Sequence, residues 1–222
     1  MTDPGATRRG AVAGSLALLA AGPAWPATVA DSDPDDMAIG NPRARVTVIE
    51  YGSLGCPTCA RWNNEYFQAF KAKHVDTGKV RYILREFLTG DTPVAAAGFL
   101  LARCAGKGQY FKVVDQVWRQ EAPLLETDRN TEKRAVLVQI AASVGLSEAQ
   151  FDACMSDDAA LKALNARSAR HHEQDHINAT PTFVINGEVY SGPLEKLDDA
   201  VSAAEQQARR GRRPAAARAG AS

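Results

Sequence analysis

The quartet Cys56-Pro57-Thr58-Cys59 directly follows the apolar run Val46-Thr47-Val48-Ile49-Glu50-Tyr51, and no other feature restricts the fold of this chain as much. An apolar run that ends in small residues and passes into a helix-starting Pro predicts a buried strand feeding a helix. Two thiols spaced by two residues then fall on the first helical turn. There, unpaired backbone N–H groups and the positive end of the helix dipole stabilise a thiolate. Far along the chain stands Ala179-Thr180-Pro181-Thr182-Phe183-Val184-Ile185-Asn186-Gly187. Pro181 heads a second apolar strand, cannot donate to a sheet ladder, and is a candidate for a cis peptide.

Strand character begins at Arg45. Val46, Val48 and Glu50 alternate with Thr47, Ile49 and Tyr51, apolar on both faces except for one acid, which is the pattern of a central strand. The helix from Cys56 carries Trp62, Tyr66, Phe67 and Phe70 at helical spacing and is predicted to run to about His74. Gly78 then turns the chain into a strand over Lys79 to Phe87, completing a βαβ unit with the cysteines at its crest. From about 92 to 177 strand patterns give way to helix punctuation. Thr92-Pro93 opens one helix and Gly106 closes it, Phe111, Val114 and Val117 mark a second, and Val136, Ile140 and Val144 a third. Ser147-x-x-Gln150 is a capping box, and Leu161 and Leu164 lead a further helix toward His176. The expected fold class is therefore α/β with an inserted helical subdomain. It closes with a hairpin, Thr182 to Ile185 and Val189 to Ser191 around Asn186-Gly187, and a last helix from Pro193 that buries Leu194, Leu197 and Val201.

The ends read differently. Arg8 and Arg9 precede an uncharged stretch, Gly10 to Ala24, followed by small residues around Ala27 and Ala30, so residues 1–30 are expected to be a secretory signal peptide. The stretch is short for a spanning helix, which argues against an uncleaved anchor. The paired arginines suggest twin-arginine export, but the residues after them match that pattern poorly, and ordinary export is favoured. Residues 31–43, rich in Asp, Pro and Gly, read as a linker. Residues 208–222, with five arginines among Ala, Gly and Pro, read as a disordered basic tail. Removing 1–30 takes Arg8, Arg9 and Asp3 from a balance of 26 basic and 26 acidic side chains. The remainder is close to neutral, and no nucleic-acid partner is expected.

Cys56 is read as the nucleophile and Cys59 as the resolving thiol. Attack on a substrate disulfide gives a mixed disulfide that the second thiol resolves, and the reverse sequence passes a bridge to a reduced client. Thr58 brings no charge, so thiolate stabilisation is expected mainly from the helix end. Glu50, a lone acid on an apolar strand, is expected to have a raised pKa and to take the proton that Cys59 must lose. The competing reading pairs it structurally with Lys79 or Arg85. The sulfur chemistry calls for no cofactor.

The run Glu50 to Cys59, the helical insertion and Ala179-Thr180-Pro181-Thr182-Phe183 together resemble the DsbA-like branch of the thioredoxin superfamily, exported bacterial thiol-disulfide oxidoreductases. The resemblance spans 44 to about 207. It implies a thioredoxin fold, a cis Pro181 beside the cysteines, contact of Thr180 with the active disulfide and bound substrate, and Glu50 as buried proton acceptor. It further implies reduced or misfolded exported client proteins as substrates, a membrane thiol redox partner, and a periplasmic location. Thr58 stands where strong oxidases often carry His, which leaves the direction of exchange open between oxidase and a reductase or isomerase kept reduced by a membrane partner. The long dimerisation domain of related isomerases is missing, and a monomer is expected. A binding module or metal-handling protein retaining the fold is the reading from another class.

With one pair assigned to exchange, the even cysteine count in an exported chain predicts a structural disulfide between Cys104 and Cys154, the alternative being two separate buried thiols. His171, His172 and His176 stand near a helix end without the knuckle spacing of a zinc site, and no metal is expected. Asn178-Ala179-Thr180 is a glycosylation sequon by letter only. Trp62 and Trp118 are expected to fill core or line the groove.

Overall fold

The computed structural model describes residues 32–210. The expected signal peptide and residues 211–222 of the expected tail lie outside them. Five strands form one mixed sheet in the order β1-β3-β2-β4-β5: β1 Met37–Gly40, β2 Val46–Gly52, β3 Val80–Glu86, β4 Thr182–Ile185 and β5 Glu188–Tyr190. β2 lies parallel to β3 and antiparallel to β4, so that Glu50 sits level with Leu84 on one side and Phe183 on the other. The helix α1, residues 57–75, joins β2 to β3. Its α-helical turns at Pro57–Trp62 and Gln68–Phe70 alternate with wider π turns at Asn63–Phe67 and Lys71–Val75.

The alternation of β2 sorts its side chains as the sequence pattern requires. Val46 and Val48 pack with Tyr82 and Phe183 against Trp62, Phe67 and Phe70 of α1. Leu197 and Val201 of the last helix, α8 Leu197–Arg210, complete that layer. Ile49 and Tyr51 enter the opposite layer with Ile83, Phe87, Ile177 and Val184. Leu194, expected to be buried, is half-buried in the 3-10 turn that precedes α8.

Between β3 and β4 runs the helical subdomain: α2 Thr92–Cys104, α3 Tyr110–Arg119, α4 Glu121–Leu125, α5 Asn130–Ser143, α6 Glu148–Met155 and α7 Asp158–Glu173. Asp91 caps α2, its carboxylate accepting from Val94 N at 3.0 Å. The Ser147 to Gln150 capping box is formed in both directions. The subdomain is tied to the sheet by a buried ionic group. Glu86 at the end of β3 pairs with Arg103 of α2 and Arg167 of α7, and accepts from the Tyr110 hydroxyl at 3.1 Å. An acid buried this deeply is tolerated only when charge and lone pairs are both met.

Two expectations need correction. Residues 37–40 are not linker but an edge strand, Met37 opposite Leu84 and Gly40 opposite Arg81. The neighbouring acids are held by partners distant in sequence, Asp36 by Arg85 and Asp33 and Asp35 by Arg170. Residues 208–210 are not tail: α8 continues to Arg210, with Ala208 packed on the core and its carbonyl accepting from Arg45. Arg209 and Arg210 stand at the negative end of the helix dipole.

Cys104 and Cys154 are joined across a sequence separation of 50 residues. A cross-link of that span is worth about 4 kcal/mol in the chain-entropy model. Replacing both by Ser is therefore expected to lower stability by about 2–5 kcal/mol in denaturant unfolding, with the Cys56–Cys59 exchange intact.

Candidate active site

The site is assembled where three loops meet at the C-terminal end of β2. Ser53 holds them. Its hydroxyl donates to Thr89 O at 2.8 Å and accepts from Gly55 N at 3.2 Å, while its carbonyl accepts from Trp118 Nε1 and from Cys56 N. Gly55 is required by close approach, since a Cβ there would lie 2.2 Å from Asp91 O. Asp91 N in turn donates to Gly55 O, and the Asp91 carboxylate pairs with Lys133 of α5. The third loop joins through the hydroxyls of Thr89 and Thr180, 2.9 Å apart.

Cys56 occupies the cap position of α1 in extended conformation with Pro57 next to it, and no side chain caps the helix. The amides of the first turn are left to face the Cys56 sulfur. Cys56 is partly exposed and Cys59 fully buried, and neither is cross-linked. The protonated Cys56 Sγ donates to Thr180 O at 3.4 Å. Its pKa is brought down to about 5, first by the hydrogen bond from Cys59, then, against the opposing effect of burial, by the Thr180 side chain and the backbone N–H groups of Cys59 and Thr58. The partner thiol leads these donors, and the first-turn amides add to it. Cys59 goes the other way. Burial, the bond to Cys56 and the nearby Glu50 charge push its thiol well above the usual cysteine range, and only the Ser53 amide, 3.5 Å from its sulfur, opposes them.

Glu50 is completely buried. Burial raises its carboxyl to about 8, with the Cys56 charge adding to the rise and the Tyr82 hydroxyl restraining it. Tyr82 donates to Oε2, while Oε1 has no hydrogen-bond partner. Trp62 Nε1 lies near enough to favour the carboxylate but outside hydrogen-bond geometry. The competing ion pairs are not formed. Lys79 donates to Lys73 O, and Arg85 engages Tyr51, Asp36 and Asp175. The Thr180-Pro181 peptide is cis, and both residues are half-buried beside Cys56. The histidines are dispersed, with His171 Nδ1 on Glu86 O and His172 Nδ1 on Ile177 O.

A family model described as Thioredoxin matches residues 32–203. The chain belongs to the thioredoxin family. A Rickettsia typhi protein with the provisional name protein-disulfide oxidoreductase is 31% identical over 155 residues, which is 70% of this chain and 56% of that protein. The chain thus spans little more than half of that relative's length. The crystal structure of alpha-DsbA1 from Wolbachia pipientis superposes with a TM-score of 0.73 at 24% identity, covering 81% of this chain and 96% of that one. A thioredoxin-like oxidoreductase from Silicibacter pomeroyi superposes with a TM-score of 0.59 at 27% identity, covering 79% and 95%. The thioredoxin family and fold expected from the sequence both hold.

Ser53, Thr89 and Tyr82 escaped the sequence reading. Ser53 carries a faint signal, a polar residue immediately after a buried strand. Tyr82 carries none, because its meeting with Glu50 depends on the β2–β3 register.

Proposed function

We propose that the chain is an exported protein thiol-disulfide oxidoreductase acting through Cys56 and Cys59. The observation that carries this reading is the pairing of an acidic, accessible Cys56 with a buried Cys59 beside a buried acid. In the oxidising direction the thiolate of a reduced client attacks Cys56 Sγ of the Cys56–Cys59 bond, and Cys59 leaves. A second client thiolate then attacks the client sulfur of the mixed disulfide and releases Cys56 as thiolate. Two client thiols become one disulfide, and the enzyme pair gains the two electrons. The proton taken up by Cys59 comes from Glu50. Thr180 and Pro181, beside Cys56, form the surface along which the client chain lies.

Stabilising the Cys56 thiolate stabilises the dithiol form, which makes the disulfide form the better oxidant and favours oxidase over reductase. The Cys104–Cys154 bridge accords with an oxidising, periplasmic compartment, and a membrane thiol partner would reoxidise the pair. Among the described residues no helix is long and apolar enough to cross a membrane. Equilibrating the protein with glutathione redox buffers tests the direction. The expected reduction potential lies above about −200 mV, and a value near −270 mV would assign a reductase instead.

A further inference from the structure

Resting on the thiol-disulfide reading above, we infer that Tyr82 is a positioning residue for the proton acceptor: its hydroxyl pins Oε2 of Glu50 and so assigns the exchanged proton to Oε1. The geometry is one-sided. Tyr82, on β3, is buried among Val48, Trp62, Phe67 and Phe70, so its ring is fixed and its O–H has the Glu50 carboxylate as acceptor. Oε1 is buried without a partner and lies toward Gly52, where an added Cβ would sit 3.0 Å away. The next residue, Ser53, donates its amide to the Cys59 sulfur. The free oxygen thus lies on the side of the strand that leads to the resolving thiol.

Among the described residues no cation shares this pocket. The groups that face the carboxyl are Tyr82 from β3, Cys56, Cys59 and Trp62 from α1, and the apolar Phe183 from β4. A neutral donor therefore does the work of holding a buried carboxylate, and the donor's strength sets how readily Glu50 gives up or accepts the proton. A donor that bonds the charged form lowers the carboxyl's pKa, so removing it raises that pKa. In the resolving step the Cys59 S–H proton passes to Oε1 of ionised Glu50. The Cys59 sulfur bonds to Cys56 Sγ, and the bond from Cys56 to the outer thiol breaks and releases that thiol as thiolate.

The test uses the reduced protein and an aromatic disulfide that releases a coloured thiolate twice, first on Cys56 attack and then on Cys59 resolution. In Tyr82→Phe the ascending pH limb of the second release is expected to move up by about one pH unit, the size of a hydrogen bond to a charged group. The first release should keep its own profile and serves as a check on folding. A fluorotyrosine at position 82, a stronger donor of nearly the same size, should move the limb down instead. In a Glu50→Gln background neither change should move it further. The inference is overturned if Tyr82→Phe and fluorotyrosine leave the limb in place, or shift it equally without Glu50. If the wild-type protein gives no second release at all, it is the oxidoreductase reading that fails.

Discussion

A Cys59→Ser variant is expected to remain covalently joined to its clients through Cys56, while Cys56→Ser loses exchange altogether. Cys56 is the partly exposed sulfur, with its pKa brought down to about 5, whereas Cys59 is completely buried, so only Cys56 can meet a large substrate. Once Cys56 has attacked a client disulfide, release of the mixed disulfide by the enzyme depends on Cys59. A thiol held in place acts at an effective molarity far above that of any external thiol, so its loss should slow release by more than about 10³-fold. Serine keeps a hydroxyl that can still donate to the Cys56 thiolate. Cys59→Ala removes the largest stabilising contact, and the Cys56 pKa should then rise toward its ordinary value. Non-reducing electrophoresis after mixing the reduced variant with a disulfide-containing client checks the trap. Adducts at Cys59 in the Cys56→Ser variant would reverse the assignment of roles.

The second large effect is a pH dependence of stability confined to the dithiol form. A depressed folded-state pKa means that the unfolded chain binds the proton more tightly, so stability is fully present above the ordinary cysteine value of 9.0 and is lost as pH falls through about 5. Within that window the slope approaches about 1.4 kcal/mol per pH unit, reduced by solvent at the partly exposed sulfur. Glu50 works in the opposite direction. Its carboxyl is raised to about 8, so its contribution is present below its ordinary value of 4.5 and is lost as pH rises through about 8. That slope is common to both redox forms and largely cancels in their difference. Cys59, raised above 9.0, enters only in more alkaline solution. Denaturant unfolding of the dithiol and disulfide forms across this range should therefore show the dithiol gaining on the disulfide as pH rises. Parallel curves would mean that the thiolate is not specially stabilised.

Local chemistry was legible in the sequence and distant pairing was not. Pro57 at the start of α1, the two-faced pattern of β2, the Ser147 capping box and the Asn186-Gly187 turn each declare themselves within a few residues, and all are present. β1 was hidden because Met37–Gly40 is four residues long and follows acids whose partners, Arg85, Arg103 and Arg170, come much later in the chain. The short helix α4 was hidden by Pro123, tolerated because it falls in the first turn. In the site, Cys56, Cys59, Glu50, Thr180 and Pro181 could be named from spacing and resemblance. The hydroxyl that holds Glu50 and the Ser53 hub exist only once β2 is registered against β3 and the loops beyond them meet.

Titrating the thiolate absorbance of the reduced protein, with Cys56→Ser as the blank, tests the acidity of Cys56 most directly. A single thiolate with a midpoint near pH 5 is expected. A midpoint close to the ordinary 9.0, or a signal that survives in Cys56→Ser, would contradict a nucleophile activated at the start of α1.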